Sequence, residues 1–79
     1  MRTLDQYTDR AVDQVCLYLT ERETRILAGY LRRLIESTDS CHFHLESDSL
    51  VQEITVTVVR DHQLNEFDER SRLLWTTGK

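Results

Sequence analysis

The chain has 79 residues, of which 39% are hydrophobic and 30% are charged, and its formal net charge is −4. This length and composition predict a single small folded domain, residues 1–79, rather than a disordered tail. The negative charge argues against a general nucleic-acid binder, because non-specific affinity for DNA comes from the neutralisation of phosphates. A domain of this size is marginally stable, so a homodimer is one ordinary way to stabilise it.

Residues 3–18 are predicted to form a first helix. Thr3 and Gln6 have the spacing of a capping box. Apolar residues recur at helical spacing on the side expected to face the core, and they are Leu4, Tyr7, Ala11, Val12, Val15, Cys16 and Leu19. Beside them, an acidic ridge would consist of Asp5, Asp9 and Asp13. Arginines of the next helix would offset the repulsion along this ridge, or Arg10 and water would suffice.

Residues 20–37 give the clearest helix signal in the chain. Thr20 followed by Glu23 predicts a capping box, in which each residue's side chain accepts from the other's backbone amide. The apolar residues cover roughly half of the helix circumference, and they are Ile26, Leu27, Tyr30, Leu31, Leu34 and Ile35. Since one contact surface needs less than that, we expect this helix to be covered on two sides, by another helix and by a small sheet.

The other side of the second helix carries four arginines around a glycine: Arg22, Arg25, Gly29, Arg32 and Arg33. On a docking face, the guanidinium groups would bind carboxylates or phosphates, and the glycine would admit a close partner. On a solvated face, the same arginines would pair with Glu36, which is within helical reach. A glycine inside a helix costs about 1 kcal/mol relative to alanine, which favours a packing role for it.

The start of the second helix resembles the opening helix of LuxR-type DNA-binding domains. The resemblance lies in Leu19-Thr20-Glu21-Arg22-Glu23 followed by Ile26-Leu27. In that family a turn and a recognition helix follow, whereas this sequence continues as a helix through residues 29–33. We therefore assign no family from this resemblance.

Two stretches of alternating residues, 41–45 and 50–59, predict a β-hairpin with residues 46–49 as its turn. The side chains expected to face the helices are Phe43, Leu45, Ile54, Val56 and Val58. Those expected to face away are His42, His44, Glu53, Thr55 and Thr57.

Residues 61–77 fit two structures. Asp61 could cap a helix, whose apolar side would comprise Leu64, Phe67 and Leu74. Alternatively, residues 73–77 form a third strand after a turn at residues 68–71; the spacing slightly favours the helix. The predicted fold is therefore α+β: two N-terminal helices packed on a small antiparallel β-hairpin, followed by a C-terminal helix or third strand. Trp75 would cover an edge of the core or contact a partner.

No motif has the spacing of a catalytic, cofactor or metal site. Cys41, His42 and His44 are metal-ligand residue types, but the ligand spacings of known zinc sites are missing. The two glycines, Gly29 and Gly78, cannot form a phosphate-binding loop. We therefore expect no enzyme, cofactor, metal or small-molecule substrate.

The location expected from the sequence is the cytoplasm, without a membrane partner. No apolar run approaches the length of a membrane span, and there is no signal-peptide pattern. The two cysteines do not make a disulfide framework. We expect Cys16 to be a buried thiol in the first helix, and a bridge to Cys41 stays open.

The function expected is a non-enzymatic protein–protein interaction module, a small regulator or inhibitor of the type that phages and plasmids carry as accessory proteins. It would dock on another protein or on a second copy of itself. The expected partner-binding residues are Arg22, Arg25, Gly29, Arg32, Arg33 and Trp75. One alternative is a DNA-binding transcriptional regulator using the basic face of the second helix. Another is an acidic nucleic-acid mimic using the carboxylates of residues 39–79.

Overall fold

We describe residues 1–79 from a computed structural model. Two pairs of short strands are each followed by helical segments. In order, the elements are β1 (Leu4–Asp5), β2 (Arg10–Ala11), α1 (Glu21–Glu36), β3 (His42–Glu46), β4 (Glu53–Thr57), a 3₁₀ helix (Asp61–Glu66) and α2 (Glu69–Thr77). They form two compact units. The helix–hairpin unit is Tyr18–Arg60, and the terminal unit combines Met1–Leu17 with Asp61–Lys79. The chain mixes α and β elements, but the predicted arrangement with two N-terminal helices is wrong.

The predicted capping box sets the start of α1. Thr20 Oγ1 accepts from the amide of Glu23 at 3.0 Å, and Glu23 Oε1 accepts from the amide of Thr20 at 2.8 Å. The reciprocal bonds satisfy two backbone donors that a bare helix end would leave without partners. At the other end, the amide of Ser37 donates to the carbonyl of Arg33 at 2.9 Å. The helix predicted from its cap and period is therefore confirmed.

β3 and β4 form the predicted antiparallel hairpin, with Phe43 opposite Val56 and Leu45 opposite Ile54. Leu45 is buried, as is Leu34 of α1, and the ring of Phe43 lies 5.2 Å from the ring of Tyr30, centroid to centroid. One side of α1 therefore packs on the hairpin, as expected from the alternation of apolar and polar residues.

The turn of the hairpin is longer than predicted, because Ser47 organises it locally. Its hydroxyl accepts from the amides of Val51 and Gln52 at 3.2 and 3.1 Å. Leu50, at the tip, has a positive φ of 61° and is exposed. These side-chain bonds extend the turn at the expense of strand pairing, so β4 begins at Glu53 rather than at residue 50.

Arg60, just after β4, holds the C-terminal end of α1. Its guanidinium donates to the carbonyl of Leu34 at 2.8 Å and to those of Ser37 and Ser40 at 2.9 Å each. Carbonyls at a helix C-terminus lack intrahelical partners, and a cation is favoured there by the helix dipole. Both ends of α1 are thus satisfied from within the helix–hairpin unit.

The predicted helix at residues 3–18 is wrong, and a two-stranded ribbon takes part of its place. Leu4 pairs with Ala11 and Asp5 with Arg10. The side chain of Asp5 accepts from the amides of Tyr7 and Thr8 at 2.9 and 3.3 Å. Such local bonds compete with helix formation. Residues 12–20 contain neither helix nor strand.

Three further expectations fail with this helix. The acidic ridge does not form, because Asp5 serves the turn and Asp9, with a positive φ of 58°, pairs with Arg70. Cys16 is exposed rather than buried, and both cysteines are free, so the 16–41 bridge is absent. The second side of α1 is only partly covered: Ile35 is 79% exposed and Leu31 39% exposed.

The C-terminal segment is helical and the third strand is wrong, but the single helix predicted to start at Asp61 is divided into the 3₁₀ helix (Asp61–Glu66) and α2 (Glu69–Thr77). The carboxylate of Asp68 accepts from the amide of Ser71 at 2.8 Å and caps α2. Gly78 ends α2 in the left-handed conformation with a φ of 76°, and its amide donates to the carbonyl of Leu74 at 2.8 Å. Residues 68–71, the turn of the strand alternative, therefore hold the start of a helix.

Arg70 ties the segments of the terminal unit together. Its Nε donates to Asp9 Oδ1 at 2.8 Å, and one terminal nitrogen donates to the carbonyls of Asp9 and Lys79 at 3.2 and 3.1 Å. Arg2 also donates to the carbonyl of Trp75 in α2, at 3.2 Å. Charged side chains thus connect the N-terminal ribbon to α2 where apolar burial is small.

Substitution by alanine should have opposite effects at the two glycines. At Gly29 an added Cβ would meet nothing within 4 Å, so Gly29→Ala should raise the free energy of unfolding by about 1 kcal/mol, the helix-propensity difference. At Gly78 the φ of 76° strains any L side chain, and the Cβ would lie 2.9 Å from the Arg2 guanidinium. Gly78→Ala should therefore lower the free energy of unfolding by about 1–2 kcal/mol. Urea titrations measure both; a destabilising Gly29→Ala would contradict the open space beside α1.

Loss of the Arg60 guanidinium should weaken the helix–hairpin unit. Arg60→Met keeps the aliphatic stem but leaves three carbonyls without their donor, so we expect a loss of about 1–3 kcal/mol in the free energy of unfolding. The matched control is Arg32→Met on α1, where the guanidinium has no partner and the change should stay within about 0.5 kcal/mol. Equal losses in the two variants would refute the role of Arg60.

Candidate functional site

α1 places five of the six predicted partner-binding residues along one helix. We call them the arginine face: Arg22, Arg25, Gly29, Arg32 and Arg33. All four arginines are exposed, whereas Glu23 and Leu34, on the hairpin side of the same helix, are buried. The sixth residue, Trp75, lies in α2 of the terminal unit and is 36% exposed.

The four guanidinium groups of the arginine face have different surroundings. Arg22 forms an ion pair with Asp48 of the hairpin turn. Arg25 pairs with Glu21, one turn earlier in the helix, at 3.2 Å. Arg33 lies 5.8 Å from the centroid of the Tyr30 ring, whereas Arg32 has no partner in the chain. Exposed ion pairs contribute roughly 0–1 kcal/mol, so a partner's carboxylates could replace these intramolecular ones at little cost.

The surface around Gly29 is open. The space where a Cβ would stand contains no other atom within 4 Å. No contact within the chain therefore explains a glycine at this position, although it weakens the helix. The sequence predicted a close neighbour at Gly29, and no residue of this chain lies there. Contact with a partner from another chain stays a prediction.

Behind the arginine face, the carboxylate of Glu23 connects the helix start to the hairpin turn. The residue is 7% exposed. One oxygen accepts from the amide of Thr20 and the other from the amide of Asp48, each at 2.8 Å. These two amides hold the pKa of Glu23 below its usual value. Asp48 in turn accepts from the Thr20 hydroxyl at 2.9 Å and from Arg22.

Sequence reasoning missed the roles of Asp48 and Arg60. The sequence identified Asp48 as a turn residue. Its flanking residues do not indicate that it contacts Glu23, 25 residues earlier at the start of α1. Arg60 follows a strand, and an arginine at that position predicts no particular contact. Only the second oxygen of Glu23, which a capping box leaves without a partner, was a signal that another donor should be present.

The outer face of the hairpin carries the histidines singled out in the sequence. His44 Nδ1 lies 2.8 Å from both Glu53 Oε1 and Thr55 Oγ1. The rings of His42 and His44 meet edge to face at 5.2 Å between centroids. No group of three or more His, Cys, Asp and Glu side chains is arranged to hold a metal ion. These histidines are therefore engaged with each other and with the neighbouring strand.

A shallow cavity of about 260 Å³ opens at the C-terminal end of α1. Its lining comprises Tyr30, Arg33, Leu34, Ser37, Ser40, His42 and Phe43. The volume is below the roughly 300–1,000 Å³ of most ligand pockets. The hydroxyl of Ser37 is already occupied by the amides of Asp39 and Ser40, at 3.2 and 2.9 Å.

Comparison of the chain with protein-family models, with curated proteins and with solved structures found no match. None of the helices combines the length and the apolar character needed to cross a bilayer.

Acid should destabilise the fold through carboxylates whose pKa is lowered by hydrogen bonds. The amide and hydroxyl of Thr8 lower the pKa of Asp5, the amides of Thr20 and Asp48 that of Glu23, and the hydroxyl and amide of Ser71 that of Asp68. A depressed folded pKa stabilises the fold above the unfolded pKa of about 4. That stability is lost as the pH falls through the folded value.

The contribution of Glu23 to this acid transition can be isolated. Glu23→Gln removes the charge and points amide hydrogens at one of two backbone donors, so the variant should be less stable at pH 7. Its stability should also fall less between about pH 5 and pH 2 than that of the wild type. The control is Glu36→Gln, an exposed carboxylate at the end of the same helix. Urea titrations at each pH give the comparison, and parallel pH profiles for Glu23→Gln and the wild type would contradict it.

Proposed function

We propose that the protein is a non-enzymatic interaction module, a small regulator or inhibitor that docks on another protein through the arginine face of α1. The observation that carries the proposal is the state of Arg32 and Gly29: an arginine without a partner beside an open glycine on an exposed helix. A guanidinium binds carboxylates with two parallel hydrogen bonds and adds specificity through its geometry. The expected partner surface is therefore acidic.

The way α1 is held supports this use of its outer surface. Glu23 and Thr20 fix the start of the helix to the hairpin turn, and Arg60 fixes its end. A helix secured at both ends presents its side chains from a defined backbone, which lowers the conformational cost of binding. The arginine face is thus a rigid platform with replaceable ion pairs.

Other partners have weaker support. The net charge of −4 opposes association with a phosphate backbone and counts against the DNA-binding alternative. The acidic mimic has no observation in its favour. A second copy remains a candidate partner, and sedimentation at two concentrations tests it. A cytoplasmic place of action, and membership of the phage or plasmid accessory class, are proposals that rest on the sequence.

Charge reversal on the arginine face should abolish partner binding without altering the fold. The variant Arg25→Glu/Arg32→Glu changes two exposed side chains, one of them without a partner, so far-UV circular dichroism should stay unchanged. Tagged wild type and variant are used to capture proteins from a lysate of the native host, with quantification by mass spectrometry. Proteins that bind the wild type should be lost from the variant.

The matched control is Arg10→Glu/Lys79→Glu, which makes the same change in net charge at exposed positions of the terminal unit. It should retain the captured proteins. Retention of all of them by the Arg25→Glu/Arg32→Glu variant would remove the arginine face as a docking surface.

A further inference from the structure

α1 has a second, partly apolar surface that the hairpin does not cover. It consists of exposed residues at helical spacing, which we call the uncovered stripe: Thr24, Ala28, Leu31 and Ile35. Ile35 is among the most exposed large apolar residues in the chain. The packed side of the same helix, with Leu34, is buried. The apolar half of α1 is therefore split into a covered and an uncovered portion.

The spacing of the uncovered stripe is that of a coiled-coil seam. Its residues follow one another in steps of four, three and four. Glu21 lies one step of three before Thr24, and with it the steps average about 3.5 residues, the period at which one helix keeps the same side towards a second helix. Leu31 and Ile35 occupy successive seam positions and are the side chains that would fit between residues of a facing helix. The geometry thus favours a helix as the occupant.

Charge lies along only one edge of this stripe. Arg25 and Arg32 each follow a seam residue directly, which is the flanking position where coiled coils place residues that select partners. Leu27 and Leu34, on the opposite edge, are half-buried and buried. Arg32 has no partner, and Arg25 has only an exposed pair with Glu21. Two cations seven residues apart, about 10 Å along the helix, therefore face whatever covers the stripe.

A second copy of this chain fits the stripe poorly. In an antiparallel pair centred on Leu31, Arg32 of one copy would lie against Arg32 of the other. In a parallel pair, Glu21, which continues the seam one step before Thr24, would stack on its counterpart. Both arrangements oppose like charges at positions that set partner choice. An occupant with acidic residues along the matching edge has no such conflict.

We propose that the uncovered stripe binds an amphipathic α-helix of a different protein, with aliphatic residues on its seam and Asp or Glu residues seven apart along the edge that meets Arg25 and Arg32. This inference rests on the proposed function and narrows it, because it assigns the partner a secondary structure and a pattern. Within the arginine face, it uses Arg25 and Arg32 and does not use Arg22 or Arg33, which lie farther round the helix.

The test uses the full chain and two synthetic peptides of about three heptads, each with leucine at both seam positions. One carries Glu at its flanking positions, which also limits pairing with itself, and the other carries Lys. Fluorescence anisotropy should show binding of the Glu peptide in the micromolar range and at least tenfold weaker binding of the Lys peptide. Ile35→Asp should weaken binding of the Glu peptide at least tenfold, with unchanged circular dichroism because Ile35 is exposed.

Variants on the two edges complete the test. Arg25→Glu/Arg32→Glu should reverse the preference and bind the Lys peptide better, whereas Arg22→Glu/Arg33→Glu should leave the preference for the Glu peptide unchanged. The proposal is overturned if neither peptide binds, if both bind equally, or if Ile35→Asp has no effect. It is also overturned if the chain forms dimers in sedimentation that Ile35→Asp abolishes, because a second copy would then occupy the stripe.

The same variants separate this inference from the proposed function. If proteins captured from the lysate depend on Arg25 and Arg32 but are retained by Ile35→Asp, the arginine face docks a partner and the stripe does not. If capture is unaffected by the arginine reversal, the proposed function itself fails.

Discussion

The buried carboxylate of Glu23 is the interaction on which the helix–hairpin unit depends. Its two oxygens accept from the amides of Thr20 and Asp48, one at the start of α1 and one in the hairpin turn. A carboxylate removed from water is costly unless its acceptor sites are filled, and each of its oxygens accepts a backbone donor here. These two hydrogen bonds fix which side of α1 faces the hairpin. The arginines on the other side therefore point to solvent.

The apolar core of this unit is small, since Leu34 and Leu45 are its only buried hydrophobic residues. Hydrogen bonds also hold the helix ends. Arg60 fills carbonyls at one end as Glu23 and Thr20 fill amides at the other. Because hydrogen bonds hold α1 at both ends, the sides of the helix stay available for a partner. A helix packed on all sides would have no such free surface.

Local signals in the sequence identified α1 and the hairpin but failed at residues 3–18, and contacts between distant segments could not be predicted. The Thr20–Glu23 capping box and the alternation around Phe43 and Leu45 need only neighbouring residues, and the structure contains both. The position of the arginines on one side of α1 follows from the helical period alone. The contacts of Asp48 and Arg60 join distant segments and have no pattern within either segment. Trp75 lies in α2, whereas the sequence left open whether its segment is a helix or a strand.

The failure of the first helix shows what the apolar pattern of α1 means. Apolar residues at helical spacing occur in residues 3–18, yet the side chain of Asp5 engages the amides of Tyr7 and Thr8 and closes a ribbon turn instead. The surplus apolar surface of α1 was correctly identified from the sequence, but its expected cover was not. Ile35 therefore stays exposed beside an arginine without a partner. The proposal that this side of α1 binds another helix gives a reason for a seam with one charged edge.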